Sequence, residues 1–291
     1  MIGKNTPNGG TCIAGNLDLH IHTTASDGSD TPAELAEKVA EAGLTLFSVT
    51  DHDTIDGALE MEGLVPAGVR YIRGVEFSCV SPAGKCHILG YHYDPDHPAF
   101  RAALAEGRQL RLEKLERRLE KLRREYAIEL TEAERSWLMS LGSPGKPHLG
   151  QIIRNRGRAP DLDGAIRGFI RDVPGRDRIE AKMAIGAILA AGGFPVWAHP
   201  LGGEGEKRLT EEKFESLLQT LLGYGLRGLE CRYSRYGRKE SEFLLDHAAR
   251  LGLTPTGGSD YHGSNKKDIQ LGQLGCEWTV DTEKLYGIIC K

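Results

Sequence analysis

The sequence predicts an α/β protein in which roughly seven short strands form a mainly parallel, barrel-like sheet. Short apolar or β-branched runs recur along the chain, and each is bounded by Gly, Pro or Asp. Helical patterns lie between several of these runs, and such alternation is typical of parallel sheets with right-handed crossovers. A length of 291 residues fits one large domain, or one domain with an insertion. An open doubly wound sheet is the alternative arrangement of the same elements.

Each predicted strand is short and begins or ends in a polar cluster. Runs of about four to eight residues between turn-forming residues favour strands over helices. The strands are predicted at Asn16–His20, Leu44–Thr50, Val69–Glu76, Cys86–Tyr91, Pro195–His199, Arg227–Cys231 and Leu253–Asp260.

The helix that follows the first strand has clear start and stop signals. Thr31 is a favourable N-cap, Pro32 suits the first helical position, and Glu34 adds an acid in the first turn. The helix is predicted to continue to about Ala42, where Gly43 would end it. Two later helices are predicted at Met183–Ala191 and Glu240–Leu251.

The segment from about residue 100 to residue 178 contains only helical patterns and interrupts the alternation. A long helix is predicted at Arg101–Tyr126, with Leu115, Leu119 and Leu122 on one stripe. Shorter helices are predicted at His148–Asn155 and Asp163–Arg171. We therefore assign residues 1–100 and 179–291 to the α/β domain and residues 101–178 to a small helical insertion. The long helix is rich in Arg and Lys, which indicates a solvated face, with a polyanion contact as the alternative.

The composition excludes several classes of protein. With 37 basic and 41 acidic side chains the net charge is −4, so there is no overall attraction to nucleic acid or anionic membranes. No apolar run approaches the roughly 20 residues of a membrane span, and residues 1–15 do not resemble a signal peptide. The 6 cysteines show no paired spacing, which favours reduced thiols over zinc–thiolate sites. A cytoplasmic location is therefore expected, and the oligomeric state is left open.

Many of the 10 histidines lie in short polar clusters beside aspartates. His20 and His22 occupy positions i and i+2 at the end of the first strand, so both imidazoles point to the same side. A structural histidine pair and a metal site are about equally compatible with this one motif. The other clusters place His, Asp or Glu near the ends of most predicted strands. The candidate ligands are His20, His22, Asp27, His52, Glu76, His87, His199, Asp260 and His262.

In a parallel barrel, the carboxyl ends of the strands share one face, where these side chains would converge. Nine nitrogen and oxygen ligands are too many for one ion but suffice for two or three divalent ions that share a carboxylate. Imidazoles combined with carboxylates suit Mn, Fe or Zn. Adjacent cations of this kind are a known solution for the hydrolysis of phosphate esters.

The motifs D-L-H-I-H, S-D-G, T-D-H-D, G-V-E, C-H-I-L-G-Y, A-H-P and G-S-D-Y-H resemble, in number and order, those of the polymerase-and-histidinol-phosphatase (PHP) family. The resemblance covers roughly residues 16–98 and 183–263. It implies a distorted (β/α)₇ barrel with a trinuclear metal centre. The implied ligand groups are His20, His22, Glu76 and Asp260; Glu76, His87 and His199; and Asp27, His52 and His262.

The resemblance also implies an activity, namely hydrolysis of small phosphate esters of ribose or nucleotides with release of phosphate. In many relatives the position of Asp27 is histidine, and an aspartate there is similar to a subgroup of stand-alone phosphoesterases with a helical insertion. The implied catalytic residues are Glu76, His199 and Asp260. Candidate substrate contacts are Lys146, His148, Arg232 and Arg235.

Four alternatives remain open from the sequence. One is a 3′-phosphatase for nucleoside 3′,5′-bisphosphates that also acts as a 5′–3′ exonuclease on short RNA. A second is a non-catalytic metal-binding module, although none of the nine candidate ligands is missing. A third is an amidohydrolase that cleaves C–N bonds, and a fourth is nucleic-acid binding through the basic helix. We expect a small phosphate ester as the partner, nucleic acid only as short oligonucleotides, and no membrane.

Overall fold

The computed structural model describes residues 16–170, 173–203, 207–276 and 278–291. The strands are β1 (Leu17–Ile21), β2 (Leu46–Val49), β3 (Arg70–Tyr71), β4 (Gly74–Ser81), β5 (Gly84–Tyr91), β6 (Ile179–Glu180), β7 (Phe194–Ala198), β8 (Gly228–Tyr233) and β9 (Thr254–Gly258). The helices are α1 (Pro32–Glu41), α2 (Asp56–Met61), α3 (Pro98–Tyr126), α4 (Glu132–Ser140), α5 (Lys146–Asn155), α6 (Leu162–Phe169), α7 (Ala181–Ala190), α8 (Glu211–Gly223), α9 (Arg238–Leu251) and α10 (Thr282–Ile289), with a 3₁₀ turn at Gly263–Lys266.

The mixed α/β class predicted from the sequence is confirmed, but the prediction of a mainly parallel sheet is only partly right. The strands form a parallel sheet in the order β1-β2-β3 and a mixed sheet in the order β6-β4-β5-β7-β8-β9. β4 runs antiparallel to β5, and β5 runs antiparallel to β7. The cause is local, because Ser81 pairs with Gly84 and only Pro82 and Ala83 separate them. A turn this short can only reverse the chain.

One predicted strand is divided in two. The run Val69–Glu76 contains β3 and the beginning of β4, so Glu76 lies within a strand that continues to Ser81. Its side chain is nevertheless placed among the strand ends, because the backbone N–H of Asp53, just after β2, donates to Glu76 O at 2.9 Å. The two sheets also approach one another at β1 and β9. There the N–H of Asp260 donates to His20 O, and the N–H of His22 donates to Tyr261 O, both at 2.9 Å.

Helix α1 begins and ends as predicted. The hydroxyl of Thr31 accepts from the N–H of Glu34 at 3.2 Å, and the carboxylate of Glu34 accepts from the N–H of Thr31 at 2.8 Å. This reciprocal capping box leaves fewer unsatisfied donors at the helix start. Gly43 follows the helix with φ +66°, a left-handed conformation that favours glycine.

Helices α4 to α6 share an apolar cluster with the second half of α3, whereas the first half of α3 packs into the cluster around the larger sheet. The predicted stripe of Leu115, Leu119 and Leu122 packs there against buried side chains from α4, α5 and α6, among them Leu138 and Ile153. The shorter helices lie within a few residues of their predicted bounds, although the predicted end at Arg171 is outside the described residues. This cluster is distinct from the apolar clusters around the two sheets.

The sequence indicated a solvated basic face for α3, but two of its basic side chains form ion pairs with other parts of the chain. Arg111 reaches Asp53, just after β2, with Nη2 2.5 Å from Oδ2, and it also donates to Ser78 Oγ at 3.0 Å. Lys114 forms a half-buried ion pair with Asp177. An ion pair therefore connects α3 to the segment that carries His52. The periodicity of a helix does not predict such a long-range contact.

Two expectations about the class of protein can be compared with the described residues. No helix in that part of the chain is long and apolar enough to cross a lipid bilayer. The five described cysteines are unpaired thiols, as expected, while Cys12 lies outside the described residues.

Candidate metal centre

The structure brings all nine predicted metal ligands together at one edge of the strands. His20 is the next-to-last residue of β1 and His22 directly follows the strand. The residues after β2, β7 and β9 supply His52, His199, Asp260 and His262. Glu76 and His87 come from the antiparallel pair β4 and β5. Three groups have donor atoms within 4.8 Å of one another. They are His22, Asp27, His52 and His262; His20, His22 and Asp260; and His52, Glu76 and His87.

These groups differ slightly from those that the family resemblance implies. His22 and His52 each belong to two groups, so neither is restricted to a single ion site in this geometry. His199 is in none of the three groups, but its Nε2 lies 3.2 Å from Glu76 Oε1. The nine residues therefore form one continuous cluster rather than three separate sites.

Glu76 lies at the centre of the cluster and is almost completely buried, with a side chain 1% exposed. Its Oε1 faces Nδ1 of His87 at 2.7 Å and Nε2 of His199 at 3.2 Å. Its Oε2 faces His52 Nδ1 at 2.9 Å and the Nε2 atoms of His20 and His22 at 3.3 Å each. One carboxylate with imidazoles on both oxygens has the arrangement of a bridging ligand.

Several of these inward-facing atoms have no hydrogen-bond partner among the described residues. They are Nε2 of His20, Nε2 of His22, Nδ1 of His52 and Oε2 of Glu76. A buried polar atom without a partner is costly, by roughly 1–3 kcal/mol each, so such atoms rarely occur together without a reason. Divalent ions would satisfy the lone pairs on these atoms, and the nitrogen and oxygen donor set suits Mn, Fe or Zn. The residues present therefore fit a metal centre.

The carboxylates of the cluster are held in the ionised form that binds metals. Burial alone would raise the pKa of Glu76, but His52, His20 and His87 outweigh it and lower the pKa well below its usual range. Burial likewise opposes ionisation of Asp260, whereas Lys266 and His262 lower its pKa. Both acids are consequently anions at neutral pH, as a metal ligand must be.

The histidines divide into two electrostatic classes. Burial lowers the pKa of His87 and of His262 to about 4, so both rings are neutral at pH 7. Burial also acts to lower the pKa of His22, but contacts with Asp260 and Glu76 outweigh it and raise the pKa to about 9. The negative charge that raises the pKa of His22 would also attract a metal cation, and binding of that cation would release the proton.

The turn that presents Asp27 requires a glycine. A Cβ on Gly28 would lie 2.4 Å from the carbonyl oxygen of His22, far inside van der Waals contact. The carboxylate of Asp51 stabilises the same turn, because it accepts hydrogen bonds from the N–H of Thr23 at 2.8 Å and from Ser26 Oγ at 2.5 Å. The Ser-Asp-Gly motif therefore places Asp27 beside His262, with Oδ1 3.2 Å from Nε2.

Two of the predicted ligands adopt a strained backbone. His199 has φ +28° and Asp260 has φ +59°, a region that non-glycine residues rarely occupy. Such conformations cost about 1–3 kcal/mol each and persist where surrounding contacts enforce them. At His199 the enforcing contact is a hydrogen bond from its backbone N–H to Glu230 Oε2 at 2.6 Å. Strain at both positions indicates that the direction of these side chains is under tight structural control.

Glu230 was not among the residues singled out from the sequence. It is 1% exposed and lies in β8, where Oε1 is 3.0 Å from Nδ1 of His20 and Oε2 binds the backbone of His199. One carboxylate thus orients two predicted ligands from outside the cluster, as carboxylates behind metal-binding histidines commonly do. The available signal was a single acid in the otherwise uncharged run Gly-Leu-Glu-Cys.

Replacing Glu230 by Gln should weaken metal binding about 10- to 100-fold, the usual effect of removing a carboxylate that orients a metal-binding histidine. Glutamine keeps the shape but loses the charge, and it has a single acceptor oxygen for the two nitrogens that Glu230 contacts. The measurement is a calorimetric metal titration of purified, chelator-treated protein. The matched control is Glu215→Gln, which removes a carboxylate 2.7 Å from His247 on α9. Equal metal affinities in the two variants would exclude this role for Glu230.

Asp260 is supported by two further residues that the sequence did not indicate. The hydroxyl of Tyr233 donates to Asp260 Oδ2 at 2.9 Å, and Lys266 Nζ lies 2.7 Å from the same oxygen. Oδ1 is left facing His22 Nε2 at 3.2 Å. One oxygen is therefore held by the protein while the other points into the cluster.

The four candidate substrate contacts lie in different places. Lys146 is the first residue of α5. The preceding Gly145 lies close to Asp27, since a Cβ added to this glycine would be 4.0 Å from Cβ of Asp27. His148 accepts from the N–H of Gly145 at 3.0 Å and lines a cavity of about 420 Å³ with Trp137 and Arg154. Both therefore lie at the Asp27 side of the cluster.

The two arginines are engaged elsewhere. Arg235 forms a bidentate ion pair with Asp268, at 2.6 and 2.9 Å. Arg232 pairs with Gly257 across β8 and β9 and places Nη1 2.5 Å from Cys276 Sγ. Because the neighbouring Gly258 faces His20, Arg232 lies on the opposite face of the sheet. A bulge between Glu230 and Arg232 produces this change of side, and the structure does not bring Arg232 to the cluster.

Comparison with known proteins agrees with the motif order and the fold. The family model described as "PHP domain" matches residues 18–143. A 3′,5′-nucleoside bisphosphate phosphatase of Chromobacterium violaceum is 27% identical over 263 residues, which are 87% of this chain and 90% of that protein. A phosphoribosyl 1,2-cyclic phosphate 1,2-diphosphodiesterase of Eggerthella lenta is 31% identical over 260 residues, covering 84% of this chain and 94% of that protein.

The similarity extends to three dimensions. A crystal structure from Bifidobacterium adolescentis, of a protein inferred to be a metal-dependent phosphoesterase, superimposes with a TM-score of 0.82. The two proteins are 28% identical, and the match covers 95% of this chain and 96% of the other. The shared fold, the relatives that hydrolyse phosphate esters and the buried imidazole–carboxylate cluster agree with one another. The chain belongs to the PHP family and is a metal-dependent phosphoric ester hydrolase.

Proposed function

We propose that this enzyme hydrolyses small phosphate esters of ribose or nucleotides, a cyclic sugar phosphodiester or a phosphomonoester, and releases inorganic phosphate. The observation that carries the proposal is the buried Glu76, whose two oxygens face five imidazoles at 2.7–3.3 Å. An anionic hub of this kind suits several cations held side by side, which is what a phosphate ester requires. Ribose cyclic phosphate 5-phosphate is our first candidate substrate.

We propose that two or three Mn, Fe or Zn ions are held by the nine ligands, with Glu76 bridging. When bound, the ions would neutralise the charge of the phosphate and activate water as the nucleophile. Glu76 and Asp260 contribute fixed negative charge and hold the geometry, the second with one oxygen fixed by Tyr233 and Lys266. His199 turns Nε2 toward Glu76, and we keep this residue as the candidate that protonates the leaving oxygen.

The cavities beside the cluster suit a small molecule. Cavities of about 400 and 420 Å³ flank it, sizes that match small ligands. Three tyrosines near the cluster, which could have stacked on RNA bases, are instead buried. Tyr233 donates to Asp260, Tyr236 to Gly202 O, and Tyr261 to Asp30. We keep Lys146 and His148 as proposed contacts because they lie beside Asp27.

A second candidate activity is removal of the 3′-phosphate from nucleoside 3′,5′-bisphosphates, together with 5′–3′ hydrolysis of short RNA. The relative from C. violaceum bears the first of these activities in its name and matches this chain along 90% of its own length. Cleavage of amides and a purely structural metal module are less well supported, since all nine ligands are present and the named relatives act on phosphate esters. The cytoplasmic location stays a prediction.

We also propose that the two sheets act as one distorted barrel wall and that residues 101–178 form the inserted helical unit. The first part is supported by the hydrogen bonds that connect β1 to the residues after β9 and the residues after β2 to β4. The second is supported by the separate apolar cluster that α4 to α6 form with residues 115–122 of α3. In this arrangement the N-terminus of α5 covers the Asp27 side of the metal cluster.

The proposed substrate class predicts the outcome of a direct assay. Protein loaded with manganese or zinc should release phosphate from ribose cyclic phosphate 5-phosphate or from a nucleoside 3′,5′-bisphosphate. For these two substrates we expect kcat/KM to be at least about tenfold higher than for histidinol phosphate. A substrate that leaves one charged group of the site without its hydrogen bond loses about that factor. A panel of amides provides the comparison for C–N hydrolysis. Turnover of none of the three phosphate esters would contradict the proposal, whether or not an amide is cleaved.

A further inference from the structure

A cationic cavity lies beside the cluster and, within the described part of the chain, shares no lining residue with the cavity at His148. It has a volume of about 400 Å³ and opens beside the rings of His87 and His199. Four cations line it, namely Lys85, Arg178, Lys207 and Lys213. None of its described lining residues carries a carboxylate. Positive charge is therefore concentrated at one side of the metal cluster, in a chain whose net charge is −4.

Arg178 is the most firmly placed of the four cations. It immediately precedes β6, where Ile179 pairs with Cys79 of β4, so its backbone is fixed to the sheet. The neighbouring acid, Asp177, forms its ion pair with Lys114. The guanidinium makes one long contact, from Nη1 to Cys86 O at 3.4 Å. Its Nε is buried without a hydrogen-bond partner among the described residues.

A guanidinium has five N–H donors in a rigid planar arrangement that matches the oxygens of a phosphate. Arg178 has a fixed position and unused donors, and three lysines surround the same space. The carbonyl of Cys86 connects it directly to β5, one residue before the predicted ligand His87. An anion held by Arg178 would thus lie next to the metal cluster but outside it.

We propose that this cavity binds a second phosphate of the substrate, the phosphate monoester on the 5-position of the sugar, while the scissile phosphate lies at the metal cluster. The inference rests on the proposed function, since both candidate substrates carry a 5-phosphate. The cavity at His148 has a different character, because Trp137, Gln151 and Asn265 line it and Arg154 is its only Lys or Arg among the described lining residues. The second phosphate is therefore assigned to Arg178 rather than to Lys146 and His148.

The test compares substrates that differ only in the 5-phosphate. For metal-loaded enzyme, kcat/KM is measured for a nucleoside 3′,5′-bisphosphate and for the nucleoside 3′-phosphate, and for ribose cyclic phosphate with and without a 5-phosphate. The wild type should prefer the 5-phosphorylated member of a pair by about tenfold or more, the factor expected for hydrogen bonds to a charged group. In Arg178→Met this ratio should fall about tenfold, mainly through KM.

Two further variants separate a binding effect from damage to the fold. Lys213→Met alters an exposed residue of α8 and should lower the same ratio by a smaller factor. Lys239→Met, at an exposed position of α9 away from the cavity, should leave the ratio at the wild-type value. A wild-type ratio near one, or a ratio unchanged in Arg178→Met, would overturn the subsite while leaving phosphate ester hydrolysis intact.

Failure of the proposed function would look different, because no member of either pair would be hydrolysed. The subsite is then decided by calorimetric binding of the nucleoside 3′,5′-bisphosphate to the metal-loaded protein. Binding that is about tenfold weaker in Arg178→Met than in the wild type would support the anion site. Equal binding in the two proteins would refute it.

Discussion

Replacing Glu76 by Gln should abolish the tight binding of at least one metal ion and reduce phosphate release at least about 100-fold. Residues that only orient a metal ligand already contribute about 10- to 100-fold, and Glu76 touches five ligands directly. Glutamine has nearly the same volume, so the packing of β4 is preserved. It lacks the negative charge that holds neighbouring cations together, and only one of its two terminal atoms can accept.

The measurement has two parts, metal content by elemental analysis after gel filtration and the initial rate of phosphate release. The control is Glu37→Gln, the same substitution at an exposed position of α1. A circular dichroism spectrum and melting curve close to those of the wild type would establish that the variant is folded. Full metal content together with full activity in Glu76→Gln would remove the central observation on which the proposed function depends.

The sequence contains most of this site because its ligands come from local patterns. His20 and His22 share a side by strand periodicity alone, and the Ser-Asp-Gly turn around Asp27 is a local motif. The ends of β1, β2, β7 and β9 meet at one edge because most of these strands run parallel. Glu76 was found for a reason that was partly wrong, since it lies within β4 rather than at the end of a strand. It still reaches the cluster, because β4 approaches the end of β2.

The residues that were missed depend on contacts between distant parts of the chain. Glu230 reaches His20 across 210 positions of sequence, and Arg111 reaches Asp53 across 58. Neither pairing has a periodic signal in the sequence. The misplacement of Arg232 has a different origin. A single extra residue in β8 reverses the side on which the following side chains lie, and periodicity of two fails at such a bulge.

The same distinction explains why the substrate was harder to assign than the metal centre. Metal ligands are specified by residue type and strand position, both of which can be read from the sequence. The cationic cavity instead combines Lys85 and Arg178, 93 positions apart by numbering, with Lys207 and Lys213 from the region before and within α8. These residues are ordinary surface charges when considered singly. Only the folded chain shows that they surround one space beside His87.

Removing the metal ions should both inactivate the enzyme and lower its melting temperature. The unpartnered atoms of His20, His22, His52 and Glu76 are buried in one cluster, and without ions their lone pairs and charges are left uncompensated. An ion present at about 100 times its dissociation constant stabilises the folded state by about 2.7 kcal/mol, and each additional site adds a similar amount. At about 2–4 °C per kcal/mol for larger domains, a loss of at least about 5 °C is expected.

The comparison uses melting curves and phosphate release of protein before and after treatment with a chelator, and again after addition of manganese or zinc. Glu76→Gln serves as the internal reference, because its melting temperature should respond much less to the same additions. A chelated wild-type protein that retained its melting temperature and its rate would show that the buried cluster functions without metal.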